Sequence, residues 1–139
     1  MKKVCNKSED EIICPLSHGP GAGRRFEKLL DNVYSDYGHH PEEIAATIAM
    51  ASELKARDGA QGVALLYQPH QNSRQHEVKS GYKKAFIGAD KVFWLPTYLA
   101  REDPNLAVLT PAELISEMDN ADIAEPAELN DVLAAKIRQ

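Results

Sequence analysis

No stretch of this 139-residue sequence stays apolar for the roughly 18 to 20 residues that a membrane-crossing helix needs, and the N-terminal run MKKVCNKSEDEIICPLS lacks the apolar centre of a secretory leader. Both absences predict a cytoplasmic protein. Cysteine is scarce: Cys5 and Cys14 are separated by eight residues, too many for a Cys-x-x-Cys metal or redox pair, and both are expected as free thiols. The phosphate loop G-x-x-x-x-G-K-[ST], the zinc helix H-E-x-x-H and the nucleophile elbow G-x-S-x-G are all missing, so Ser35, Ser73 and Cys14 gain no support as nucleophiles. An excess of basic residues is also lacking. Sixteen Lys and Arg against 21 Asp and Glu give a net charge of -5, which argues against nonspecific binding to nucleic acid or to an anionic membrane, though a small anion can still find a local basic site.

What is present is the composition of a globular domain, 43% hydrophobic and 27% charged, in a chain long enough for one core and too short for two. Residues 1–22 have no sustained period and are expected as a tail or linker, leaving residues 23–139 as the domain. RRFEKLLDNVYSDY reads as two short strands around a turn at Asp31 and Asn32. Pro41, with Glu42 and Glu43 behind it and Ile44, Ile48, Ala51 and Leu54 at helical spacing, predicts a helix to about Arg57, stopped before Gly59. GVALLYQP and KVFWLP are short continuous apolar runs, the pattern of parallel strands buried on both faces. Between them Asn72 and Gln75 can form a capping box for a second helix with Val78, Tyr82, Ala85 and Phe86 on its apolar stripe, weakened by Gly81. TPAE from Thr110 opens a third helix through about Met118; DIAEP is a short strand; the last helix should bury Leu129, Val132, Leu133 and Ile137. The alternation predicts an α/β fold with a Rossmann-like, mostly parallel sheet flanked by helices, whose ligands bind beyond the carboxyl ends of its strands.

Three polar clusters, DYGHHP, QPHQNSR and TYLARED, each follow a predicted strand. His39 and His40 also precede a helix, where free N–H groups and the dipole favour an anion; the bland reading, solvated histidines at a helix start, stays open beside it. Arg24 and Arg25 after GPGAG could cradle a phosphate or simply be solvated. A zinc site from His39, His40, His70 and His76 lacks any compact ligand spacing. Trp94 and the apolar stripes read as core.

Taken in order, GRRFE, SDYGHHPEEIAATI, LLYQPHQNSR and TYLARED resemble the C-terminal domain of the Mur ligases, most closely the alanine-adding branch that acts on UDP-N-acetylmuramate. The likeness covers about residues 23 to 103. It implies a three-domain enzyme of peptidoglycan synthesis, with a UDP-sugar domain, a central domain bearing the ATP phosphate loop, and a C-terminal domain closing over both. ATP with magnesium, the metal held mainly by the central domain, would activate the muramoyl carboxylate as an acyl phosphate for attack by the L-alanine amine. By the same resemblance Arg25, Asp36, Tyr37 and His39 would bind ATP, Arg25 on phosphate and Asp36 on the nucleoside side. His70 and Arg74 would bind the amino acid. No catalytic side chain and no metal ligand is assigned to this chain.

Ser35 stands where the family usually has a first acid before the tyrosine, and Gln71 where it usually has arginine, so each position loses a charge. The sequence is also expected to lack the family's final strand and its phosphate-loop domain, and so to be inactive alone. Two alternatives remain: the related murein tripeptide ligase, disfavoured by Tyr37, Gly38, Gln68 and His70, and a stand-alone nucleotide-binding module that is not an enzyme.

Overall fold

The computed structural model describes residues 25–137. The expectations placed on residues 1–22, Cys5, Cys14 and Arg24 lie outside that range. The chain divides into two units, one ending at Tyr37 and the other starting at Gly38.

In the first unit, β1 (Glu27–Leu30) and β2 (Val33–Ser35) form an antiparallel hairpin around Asp31 and Asn32. Asn32 takes the left-handed conformation, φ 61°, which asparagine tolerates better than most residues. The Asp36 carboxylate accepts the Phe26 N–H at 2.7 Å, and the Phe26 and Tyr34 rings stack at 4.9 Å. The hairpin is therefore a closed local structure, separate from any parallel sheet.

The second unit opens with α1 (Pro41–Asp58), bounded as its sequence dictates by Pro41 at the first turn and by Gly59 in the left-handed conformation, φ 69°. A three-stranded parallel sheet follows in the order β3 (Ala64–Tyr67), β4 (Lys91–Trp94), β5 (Ala124–Pro126). Period-two alternation sorts its side chains. Tyr67, Val92 and Trp94 face a core shared with Ile44 and Ile48 of α1 and with Tyr82, Phe86 and Leu114, while Phe93 and Leu95 meet Leu133 on the other side. Deleting a fully buried aromatic such as Trp94 from this core would cost about 3–5 kcal/mol.

Several expectations change here. β4 is buried as its apolar run predicts, but β3 sits at the sheet edge among the described residues and leaves Leu66 44% exposed. A continuous apolar run cannot distinguish an edge strand from a central one. The helix expected from Asn72 to Phe86 is three pieces: α2 (Asn72–Val78), a 3-10 turn (Lys79–Gly81) and α3 (Tyr82–Ala85). Gly81 marks the break. An added Cβ there would lie 2.8 Å from Pro41 Cγ, so the glycine lets the start of α1 pack directly on this turn.

Thr110 and Glu113 do form the expected capping box, with Thr110 N–H donating to Glu113 at 2.7 Å and Glu113 N–H to Thr110 Oγ1 at 3.3 Å. The helix it opens, α4 (Pro111–Ile115), ends three residues before Met118. In α5 (Asp131–Ile137) Leu133 alone is buried; Val132 and Ile137 are exposed, as is Leu129 ahead of the helix.

Candidate functional site

Beyond the carboxyl ends of β3 and β4 the two chains continue side by side. Tyr98 N–H donates to Pro69 O at 2.8 Å and Gln71 N–H to Tyr98 O at 2.9 Å, a parallel bridge between His70 and Tyr98. The two rings stack, centroids 5.1 Å apart and 26° from parallel. QPHQNSR and TYLARED, far apart in sequence, thus form one ledge at the end of the sheet where an α/β fold places ligands. The third cluster does not share that setting: DYGHHP follows β2 of the hairpin, not a strand of the parallel sheet.

The start of α2 departs from its expected cap. Gln71, not Asn72, is the residue before the helix, and it holds φ 64° and ψ 122°, a conformation that costs a non-glycine residue about 1–3 kcal/mol. It persists because its N–H is tied to Tyr98 and its side-chain amide donates to Ala100 O at 3.3 Å. Asn72 is buried inside the helix instead. Its Nδ2 donates to Ala107 O at 2.9 Å and its Oδ1 accepts Leu109 N–H at 2.9 Å, tying α2 to the segment before α4.

The capping function passes to Glu102. One oxygen accepts the N–H groups of Asn72 and Ser73 at 3.0 and 3.2 Å, the other that of Ala100 at 2.9 Å. The Ala100 amide above all, then those of Asn72 and Ser73, with His70 adding a favourable charge, hold the Glu102 carboxyl below its ordinary range despite partial desolvation. A glutamate also serves α1: Glu43 accepts His39 N–H at 3.0 Å and His40 N–H at 3.2 Å. The helix start on which the sequence suggested an external anion, that of α1, therefore carries a carboxylate of the chain itself, and so does that of α2.

Of the six residues singled out, His39, His70 and Arg74 belong to the second unit and Arg25, Asp36 and Tyr37 to the first. His39 is half-buried, its Nδ1 3.8 Å from Glu43; His70 stacks on Tyr98; Arg74 lies half-buried in the first turn of α2 and forms no ion pair among the described residues. In the hairpin unit Arg25 is exposed, Tyr37 is 44% exposed, and Asp36 already accepts a backbone hydrogen bond. His76 rests with Nε2 2.9 Å from Ala107 O. No group of three or more His, Cys, Asp or Glu side chains converges as a metal site among the described residues.

Sequence reasoning missed Glu102 and Tyr98, and gave Gln75 a capping role where its side chain instead bonds the His70 carbonyl and Tyr82. TYLARED flagged the segment, but nothing local says that its glutamate caps a helix that begins 30 residues earlier. The chemistry available on the ledge is recognition: a cationic guanidinium, one imidazole and an exposed aromatic ring, suited to holding a small polar ligand.

No protein-family model matches the chain. Curated proteins do. It is 32% identical over 134 residues to the UDP-N-acetylmuramate--L-alanine ligase of Nitratidesulfovibrio vulgaris (strain DP4), covering 92% of this chain and 29% of that one. It is 41% identical over 93 residues to the protein of that name from Arthrobacter sp. (strain FB24), 64% of this chain and 19% of the relative. With that from Mycobacterium tuberculosis (strain ATCC 25177 / H37Ra) it shares 36% identity over 103 residues, 68% and 21%. The chain thus spans less than a third of the length of the curated relatives it matches.

Proposed function

We propose that this chain, a relative of the Mur ligases, acts as the C-terminal ATP and amino-acid domain of a UDP-N-acetylmuramate--L-alanine ligase and is inactive without the phosphate-loop and UDP-sugar domains. The observation that carries the reading is the 134-residue relation to a protein of that name, spanning both segments of the ledge beyond β3 and β4.

On this reading His70 and Arg74 serve the amino acid. A guanidinium can hold a carboxylate through two parallel hydrogen bonds, and the flanking Gln71 amide supplies no charge to replace it. In the same unit His39 serves ATP, and in the hairpin unit Arg25, Asp36 and Tyr37 are assigned to it. The fit is partial. The described residues offer cationic and aromatic contacts for a nucleotide, and on this reading magnesium is held mainly by the central domain. Bound ATP supplies the phosphoryl group that activates a carboxylate; the residues here bind and orient.

The test is reconstitution. The chain alone, given UDP-N-acetylmuramate, L-alanine, ATP and magnesium, should release no phosphate, whereas fusion to the other two domains of the Nitratidesulfovibrio relative should restore turnover. Failure of the fusion, or turnover by the lone chain, overturns the reading. In the active fusion Arg74→Ala should weaken use of L-alanine by about 2 kcal/mol, the lower end for breaking a desolvated charge pair because the arginine is half-exposed, and leave ATP saturation nearly unchanged.

A further inference from the structure

Beneath the ledge runs a buried polar path that no assignment above uses. Gln75 and Tyr82 have no exposed surface and Tyr67 has 5%. Gln75 Nε2 donates to the His70 carbonyl at 3.2 Å, which fixes the orientation of its amide and turns Oε1 toward Tyr82. An amide oxygen only accepts, so the Tyr82 hydroxyl must donate to it. Tyr82 then has no proton left for its other neighbour, the Tyr67 hydroxyl at 3.0 Å, and Tyr67 must be the donor there. Tyr67 too has a single proton, and a second acceptor, the His39 carbonyl, lies 3.4 Å from its oxygen. The donor order is thus set from the His70 end, and its last proton faces two acceptors.

We propose that Gln75, Tyr82 and Tyr67 are positioning residues that couple the His70 loop to the start of α1, the Tyr67 proton being divided between Tyr82 and the His39 carbonyl. Calling them positioning residues rests on the functional reading above; the coupling itself does not. The surroundings favour a strong response: the path lies among the rings of Phe86 and Trp94, both fully buried, where hydrogen bonds polarise one another more than in water. Burial also keeps both phenols protonated, that of Tyr82 pushed up to about 12 and that of Tyr67 higher, so the donor order holds at every ordinary pH. Any movement that draws Gln75 away from Tyr82 frees the Tyr82 hydroxyl to turn toward Tyr67 and redirects the Tyr67 proton to His39.

Carbonyl carbon NMR shifts in the full 139-residue chain test this, because a carbonyl that gains a hydrogen bond moves downfield. Tyr82→Phe should move the His39 carbonyl downfield, as Tyr67 turns wholly to it. Tyr67→Phe should move it upfield. Gln75→Met should move the His70 carbonyl upfield and the His39 carbonyl downfield. A merely structural role gives no reason for opposite signs at His39, so shifts of one sign, or none, overturn the coupling. Should a variant fail to fold, the wild type decides: both phenol protons should appear as slowly exchanging resonances, and a wild type lacking either overturns the proposal. These readings need no enzyme activity. An inactive fusion with normal carbonyl responses would strike the functional reading and leave the coupling, and the converse pattern would do the reverse.

Discussion

The starts of α1 and α2 solve one problem in two ways. Each follows a histidine-bearing loop, and each must satisfy backbone N–H groups that a helix leaves without intrahelical partners. α1 uses residues within its own first turn: Pro41 removes one N–H, and Glu43 accepts those of His39 and His40. α2 imports its acceptor. Glu102 arrives from the loop beyond β4 and binds Asn72, Ser73 and Ala100 together, while Gln71 endures a left-handed φ to let the chain turn. The first helix start is therefore autonomous, and the second exists only where the 97–109 segment is in place. Of the two histidine loops, the one with His70 can be loosened from a distance.

The most damaging way to test that contrast is to cut the tie between α2 and the distant segment. Asn72→Ala removes two good hydrogen bonds made by a buried side chain to the Ala107 carbonyl and the Leu109 N–H, so it should lower stability by about 1–3 kcal/mol in denaturant titrations. Next should come Glu102→Gln. The wild-type carboxyl is held below its ordinary value of 4.5, so its contribution is fully present above that value and is lost as pH falls through the depressed one. Protection of the Asn72 and Ser73 amides against hydrogen exchange, relative to the intrinsic rate at each pH, should fall on acidification in wild type and in Glu102→Gln should be low already at neutral pH. At neutral pH Glu102→Gln should leave exchange in α1 unchanged. Parallel acceleration at both helix starts would abolish the distinction between them.

Glu43→Ala, the matching change at α1, should cost about 1 kcal/mol, the usual worth of a helix cap, and leave the His70–Tyr98 bridge intact by amide exchange. The smallest effect should be a gain. Gln71→Gly relieves the left-handed strain and should raise stability by up to about 1 kcal/mol, reduced by the loss of the amide contact to Ala100. A loss of more than that would mean the amide contact, not the backbone, dominates this turn.

This contrast also explains what the sequence disclosed. The bounds of α1, the Thr110 capping box and the buried β4 were legible because each is written within a few neighbouring residues: Pro41 and Gly59, Thr110 and Glu113, and the run KVFW. Asn72 misled for the same reason. Its spacing to Gln75 is that of a capping box, but tertiary partners at 106–109 and in the tyrosine pair claim both side chains. The exposed side of β3 and the outward Leu129, Val132 and Ile137 were not legible either, since apolarity records what a residue can bury and not what stands opposite. At the ledge the resemblance supplied His70 and Arg74, whereas Glu102 and Tyr98 needed the register of β3 on β4 to bring their loop alongside.

Gly81 carries no functional group, and its φ of -74° is one that any residue adopts. The demand for glycine there is space alone, set by Pro41 Cγ at 2.8 Å from the missing Cβ. A complete replacement survey at this position should accordingly recover glycine and little else, although the residue is exposed and touches no proposed ligand. Loss-of-function alleles would then cluster at a surface glycine 40 positions downstream of the proline it accommodates, and a search confined to the polar motifs would overlook them.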